Sequence, residues 1–383
     1  MPHDFRSLRN QFPILERITY LNSGSYGALA NSVKDAFEQY LDERLRAGAN
    51  WELWASKNEA VRGLVAQLLN AVPDEIAMTA SASAGINALA SALEFSSRRN
   101  KIVISDFEFP TNAHIWHAQE KRGARVIHVP PTSDGYIPLE SFERAIDHDT
   151  QLVAITHVCY RNGAKLDVAG VARIAHSKGA KILIDCYQAV GAVPIDVKAF
   201  DVDFAVGGML KYLLGTAGIG FLYARAELIH ERLPTNSGWF AQADINAMDI
   251  TGNRPSPTAR RFEAGTPAVV ACYAAEAGLK LLLSIGVDAV ERRIHSLTSR
   301  CMEELLTSGW TYRTPSDPAR RGPMIAIRSR NSDALCAHLS SRGIVTSHRD
   351  NHLRASFHFY NNDGDTDRLL EALRACEHFL PES

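Results

Sequence analysis

Hydrophobic and polar positions first alternate over residues 18–22 (ITYLN), the period-two pattern of a half-buried strand. Apolar residues then recur at helical spacing over 32–54, with mixed charge, and over 57–69. A short strand is predicted at 76–79. It enters a string of small residues, Ala80-Ser-Ala-Ser-Ala-Gly85-Ile-Asn87, which opens an apolar helix to about residue 93. From there the two periods alternate. Strands are predicted at 101–105 (KIVIS), 125–129, 152–157 (LVAITH) and 181–185 (KILID), with helices at 113–122, 139–145 and 168–177. Such spacing makes βαβ units, so the fold class is α/β with a mainly parallel sheet. Ligands in these sheets bind at the carboxyl ends of the strands. Polar clusters fall at those ends: 106–109, 157–162, 185–188 and Lys211.

Beyond residue 225 the pattern changes. Stretches 236–240 and 251–258 are loop-rich, and a short polar link, Arg260-Arg-Phe-Glu-Ala-Gly-Thr266-Pro, follows. Helices are predicted at 268–284 and 287–306, then a strand at 324–328, a helix at 332–342, a strand at 353–357 and a closing helix at 365–380. This shorter alternation reads as a second, smaller α+β domain. The expected organisation is an N-terminal segment, 1–20, packing with the small domain, a large domain, 21–260, and the small domain itself, 261–383.

Composition narrows the partners. The 383 residues are 46% hydrophobic and 22% charged, with Lys plus Arg at 41 against Asp plus Glu at 43. That balance gives no reason to expect nucleic acid or an anionic membrane surface as a partner. No apolar run reaches the roughly 18–20 residues that span a bilayer. The opening, MPHDFRSLRNQFPILE, lacks the apolar core of a secretory signal. Six scattered cysteines with no CxxC pair read as free thiols in a reducing cytosol, so a cytoplasmic protein is expected.

The candidate chemistry centres on Lys211. It lies in Asp203-Phe-Ala-Val-Gly-Gly-Met-Leu-Lys211, after an apolar strand and two glycines, and before a second apolar strand at 220–223. A lysine at a loop is ordinarily solvated. Between apolar flanks it is desolvated instead, which lowers its pKa and frees the amine as a nucleophile for an aldehyde. Asp185 ends the KILID strand, and Gln188 follows three residues on; a carboxylate there suits a metal, a helix cap or a buried cation. The small residues around Ala82 and Ser83 enter a helix N-terminus, a place for a phosphate or merely an N-cap. His348 and His352 are four apart but have no third ligand nearby, so no metal site is expected. The run Gly215-Thr-Ala-Gly218-Ile-Gly220 mimics a dinucleotide loop but opens no helix, which excludes that reading.

Five motifs in order resemble one known family: the turn ending Gly85-Ile-Asn87, Asp185-x-x-Gln188, Lys211 with its glycines, Arg261-Phe-Glu-Ala-Gly-Thr266-Pro, and Leu353-Arg354-Ala-Ser-Phe-His-Phe-Tyr-Asn361. The chain is similar over nearly its whole length to the class V aminotransferase branch of the pyridoxal-phosphate-dependent fold-type I superfamily. That branch includes cysteine desulfurases, kynureninases and isopenicillin-N-epimerase-like proteins. The resemblance implies a large domain with a seven-stranded-type sheet and helices on both faces, and a pyridoxal 5'-phosphate cofactor held covalently by Lys211, which later moves the Cα proton. It implies Asp185 at the pyridinium nitrogen and Gln188 at the phenolic oxygen. Ala82 and Ser83 would bind the phosphate, and Phe109 would stack on the ring. Thr266 would reach a phosphate in the neighbouring subunit, making a homodimer the active unit. Arg354 would pair with the carboxylate of an amino-acid substrate, with Arg349 a second candidate. Ser25, in the turn 23–27, and Tyr160 are further substrate-binding candidates.

The departures matter. Residues 343–353 hold no cysteine, where desulfurases carry their persulfide-forming thiol. The segment 156–163 and Phe109-Pro110-Thr111 are closer to kynureninases, yet Cys159 and Gln188 stand where kynureninases have Asn and His. The expected reaction, through a quinonoid carbanion, is a β-elimination of the carbon–sulfur lyase kind; an aminotransferase, an epimerase or decarboxylating enzyme, and an inactive binding protein are the alternatives.

Overall fold

The computed structural model describes residues 4–381. After a first helix, α1 (Phe5–Arg9), and a short strand, β1 (Thr19–Tyr20), two long helices follow, α2 (Asn31–Ala47) and α3 (Trp51–Leu69). The alternating core comprises β2 (Ile76–Thr79), α4 (Ala82–Ser91), β3 (Lys101–Ser105), α5 (Pro110–Ala118), β4 (Arg125–Val129), α6 (Leu139–Ala145), β5 (Thr150–Thr156), α7 (Val168–Ser177) and β6 (Lys181–Asp185). It continues with β7 (Phe204–Gly208), β8 (Gly220–Ala224) and α8 (Ala226–Ile229). These strands form one 7-stranded sheet in the order β2-β8-β7-β6-β5-β3-β4. All of its pairings are parallel except the two that β8 makes with β7 and β2. Alternate residues of each strand feed opposite faces, and both faces are covered. Val103, Val153 and Ile182 join one apolar core, while Ile102, Ile104 and Leu183 join the other.

The remaining elements are α9 (Val269–Ile285), α10 (Val287–Thr307), β9 (Met324–Arg328), α11 (Ser332–Ser341), β10 (Ile344–Val345), β11 (Ser347–Arg349), β12 (His352–Ser356) and α12 (Asp363–Arg374). A 3-stranded antiparallel sheet, β11-β12-β9, forms here, and β10 pairs with the distant β1. The chain start is tied to the same region: Arg9 Nη1 contacts Asp365 at 2.6 Å, and the Phe12 ring lies 4.6 Å from that of Tyr360. Residues 1–3 of the expected N-terminal segment lie outside the described residues.

Two expected helices differ. The segment 32–54 is broken: α2 stops at Ala47, Gly48 takes a φ of 65°, and Asn50 caps α3 by accepting from Leu53 N at 3.2 Å. The closing helix begins at Asp363 and ends at Arg374, followed by a separate 3₁₀ turn at Glu377–Phe379. Among the described residues no single helix is long and apolar enough to cross a membrane.

Strand order fixes where a ligand can sit. From β3 the chain moves outward to β4, then returns to place β5 on the other side of β3. The crevice at the carboxyl ends of β3 and β5 is therefore a topological switch point.

Candidate active site

Lys211 follows β7 on a loop that two glycines make possible. A Cβ on Gly207 would lie 2.6 Å from the Phe221 ring, and one on Gly208 would lie 2.5 Å from the Tyr187 ring. The rings therefore close down onto the strand end, and the Lys211 Nζ sits 4.5 Å from the Tyr187 centroid and 5.8 Å from that of Phe109. The turn beyond the lysine is held by a strained residue. Buried Leu214 has a φ of 60°, and Gly215 N donates to Met209 O at 2.8 Å. A left-handed leucine costs on the order of 1–3 kcal/mol and persists only where its surroundings over-determine it.

Asp185 ends β6 at 7% exposure, and its Oδ1 accepts from Tyr187 N at 2.9 Å. Burial raises its carboxyl pKa, opposed by Tyr187 N–H and by Lys211. Burial likewise lowers the Lys211 amine to about 8, with Asp185 opposing and Arg354 assisting. Burial thus disfavours the charge on each group, while their mutual attraction opposes it. Gln188 is buried, and its Nε2 donates to Gly24 O at 3.0 Å. That bond anchors the turn carrying the partly buried Ser25, and Gly27 N of the same turn donates to Leu210 O at 2.8 Å. The Ser25 turn therefore packs directly on the lysine loop.

Ala82 and Ser83 form the first turn of α4, where backbone N–H groups have no intrahelical acceptor. Ser81 caps the helix through Ala84 N at 3.1 Å. A Cβ on Gly220 would lie 2.8 Å from Ser81 C and 2.9 Å from Ala82 N, so only glycine lets β8 back this turn so closely. Exposed Thr266 lines a cavity of about 120 Å³ with Thr79, Ala80, Gly218 and Gly265.

Phe109 is 45% exposed and caps α5, whose first residue is Pro110. Its ring packs edge-on against Tyr160 at 5.2 Å. Arg354, in the middle of β12, reaches across and donates from Nη1 to Tyr160 O at 2.7 Å. Its Nε is buried with no partner, an orphaned donor of the kind that a carboxylate satisfies. Arg349 is exposed on β11, close enough for its charge to help lower the Arg354 pKa after burial. The structure thus gathers Lys211, Asp185, Phe109, Tyr160 and Arg354, and it leaves Arg349 at the margin.

Other sequence candidates go elsewhere. His348 pairs with Asp333 at 3.3 Å, and His352 Nδ1 bonds Asp350 O at 2.6 Å. Cys159 is buried, and burial pushes its thiol up to about 11, so it stays protonated. Glu108, which the sequence reading did not single out, lies buried beside the site; a carboxylate directly preceding Phe109 was the available signal.

The residues present fit the cofactor that such a site takes. They supply an amine for an aldehyde, a carboxyl for a ring nitrogen, free N–H groups for a phosphate and a guanidinium with an unpartnered Nε for a carboxylate. The chain matches the aminotransferase class-V family over residues 29–369 and belongs to it. It is a pyridoxal-phosphate-dependent enzyme. At the level of individual proteins, the chain is 34% identical over 375 residues to the uncharacterized aminotransferase YcbU of Bacillus subtilis (strain 168), covering 98% of each chain. It is 29% identical over 385 residues to a kynureninase of Deinococcus radiodurans, covering 96% of this chain and 92% of that one. The fold superposes on the apo cysteine desulfurase of Thermococcus onnurineus NA1 with a TM-score of 0.88, 24% identity and 97% coverage of both chains.

Proposed function

We propose that this enzyme cleaves a bond at Cβ of an amino-acid substrate, as a β-elimination lyase acting on a carbon–sulfur bond. The bound cofactor supplies an electron sink for the pair left when the Cα–H bond breaks. Lys211 would hold the cofactor and, once free as the amine, would take and return the Cα proton at Nζ. Asp185 would serve the ring nitrogen, Gln188 the phenolic oxygen, and Ala82 and Ser83 the phosphate, and Phe109 would cover the ring. Arg354 receives the substrate carboxylate on its unpaired Nε edge while its Nη1 stays on Tyr160 O, which fixes the guanidinium plane. Arg349 stands at the entrance, and Ser25 and Tyr160 flank the substrate. The single observation that carries the cofactor reading is the placement of Lys211 Nζ on the loop after β7, 4.5 Å from the Tyr187 ring and 5.8 Å from that of Phe109. The choice of β-elimination rests on likeness to relatives such as the probable cysteine desulfurase of Streptomyces coelicolor, 28% identical over 416 residues.

The active unit in this proposal is a homodimer in which Thr266 serves the partner's phosphate. Leu41, Leu45 and Trp51 are exposed on α2 and α3, with Leu45 at 86%, and an apolar surface of this kind favours association. We place the division of the chain at residue 260, with 1–20 accompanying the small domain, as the Arg9–Asp365 and β1–β10 contacts support. The free cysteines suit a reducing cytoplasm.

The aminotransferase relative supports transamination as the second reading. The loaded enzyme is incubated with amino acids and thioether conjugates, and pyruvate, thiol, ammonia and keto-acid-dependent transfer are assayed. Thiol and pyruvate without a keto acid support the lyase; turnover only with a keto acid sinks it. Light scattering at graded concentration tests the dimer, and a monomer at every concentration rejects it.

A further inference from the structure

The switch-point crevice between β3 and β5 is bridged by one side chain. Glu108, 4% exposed, accepts at Oε1 from the Ser105 hydroxyl at 2.5 Å and from Thr156 N at 2.6 Å. Ser105 ends β3 and Thr156 ends β5. Its Oε2 accepts from Asn112 Nδ2. The amide cannot be turned round, because Asn112 Oδ1 accepts from Trp116 Nε1 at 2.7 Å. Asn112 and Trp116 lie on α5, which Phe109 caps. One carboxyl therefore ties two strand ends to the helix that aims Phe109. The same carboxyl is a single strand from Asp185, since Thr156 and Asp185 are register partners and Thr156 Oγ1 donates to Asp185 O at 3.3 Å.

We infer that Glu108 is a positioning residue of the active site: it seats Phe109 over the cofactor ring and places a second carboxyl within electrostatic reach of Asp185. The inference rests on the reading of Lys211 and Asp185 as a pyridoxal-phosphate site. Burial pushes the Glu108 carboxyl up to about 8; hydrogen bonds from Ser105, Thr156 and Asn112 oppose this, and Asp185 reinforces it. The other titratable group facing it is the Cys159 thiol, from the segment after β5, with Lys211 beyond Asp185. Asp106, on its own turn, is engaged by His128 Nδ1 at 2.6 Å instead. Of its three partners only the Ser105 hydroxyl can reverse direction, so a protonated Glu108 donates to Ser105 Oγ.

The hydrogen-bond pattern gives a specific test. In Glu108→Gln the side-chain NH₂ meets a donor on either side, Asn112 Nδ2 or Thr156 N–H. Adding Asn112→Asp restores the match, because an aspartate accepts from both the glutamine and Trp116. Equilibrium titration with pyridoxal phosphate is expected to show about tenfold or greater weakening in Glu108→Gln, and recovery to within about threefold of wild type in the double variant. Above about pH 8, where Glu108 carries its charge, the pH titration of the bound cofactor's visible absorbance is expected to move in Glu108→Gln toward lower pH by about threefold or more in acid constant, because that negative charge is gone; below about pH 8 the carboxyl is protonated and only the affinity is expected to change. Wild-type affinity and titration in Glu108→Gln overturn the inference, as does lowered thermal stability alone, the mark of a merely structural carboxyl. If Glu108→Gln does not fold, the double variant decides: wild-type-like affinity supports the inference and weak binding rejects it. If wild type itself binds no pyridoxal phosphate, the underlying reading fails and takes the inference with it, a result visible without any variant.

Discussion

The pKa of Lys211 in the cofactor-free protein is open to direct measurement. Burial brings the amine from its ordinary value to about 8, against the pull of Asp185 and with the help of Arg354. Relative to an ordinary lysine near 10.4, that displacement is worth about 3 kcal/mol. At pH 7 about one amine in ten is then free, against about one in 2,500 for an unperturbed lysine, a gain of about 250-fold in reactive base. The sign for stability follows. The folded chain binds fewer protons than the unfolded chain between about pH 8 and 10.4, so the penalty for burying the charged lysine is full below pH 8 and relieved as pH rises through that window. Competitive pulse acylation at graded pH, read peptide by peptide by mass spectrometry, measures this value against the exposed lysines. Asp185→Asn removes a charge that raises the pKa and is expected to shift Lys211 lower still. Arg354→Met removes one that lowers it and is expected to shift it up. A Lys211 that titrates with the surface lysines, or a rise in Asp185→Asn, refutes the electrostatic reading of the site.

Three further outcomes follow from the packing. Arg62 donates to Glu263 at 2.6 Å and to Ile76 O at 2.5 Å, and Glu263 accepts from Met78 N at 2.9 Å, so this buried pair pins β2 to the segment that carries Thr266. Arg62→Met leaves Glu263 buried and unpaired and is expected to cost about 3–5 kcal/mol, read as a lower denaturant midpoint; an unchanged midpoint contradicts the pairing. Gly220→Ala forces β8 away from the Ser81–Ala82 turn by overpacking worth about 1–3 kcal/mol, and cofactor affinity is expected to fall about tenfold. Equal affinity, measured by absorbance titration, shows that the turn tolerates displacement. Five of the described thiols are buried and only Cys336 is partly open, so Ellman's reagent at pH 8 is expected to find at most one fast thiol in the native protein and six after unfolding. Rapid labelling of Cys159 contradicts its assignment as a packed, protonated thiol.

Local pattern carried much of the fold. KIVIS, LVAITH and KILID are short, β-branched and separated by helical spacing, and their carboxyl ends fall at the site. What the pattern could not carry was long-range. The antiparallel placement of β8 depends on its pairing with β2, more than a hundred residues earlier in the chain. The break at Gly48 was hidden because the segments on both sides keep helical spacing, and only three residues, from the positive-φ Gly48 to the capping Asn50, separate them. The pairing of β10 with β1 joins residues at opposite ends of the chain. At the site, Lys211 and Asp185 were legible as a lysine and a carboxylate at successive strand ends. Glu108 was not, because its meaning lies in Ser105, Asn112 and Thr156, which meet only when β3, α5 and β5 pack. The turn beyond Lys211 held a different surprise: its left-handed position is Leu214, while the neighbouring Gly215 serves close packing against Met209 and Ala275.

The central claim is that Lys211 is the covalent anchor of pyridoxal phosphate. Purified protein incubated with the cofactor and reduced with borohydride is digested, and its peptides are weighed. A pyridoxyl group is expected on the peptide containing Lys211, with loss of visible absorbance on reduction, and neither in Lys211→Ala. A pyridoxyl group on another lysine, or an unmodified Lys211 peptide in the reduced wild type, contradicts it.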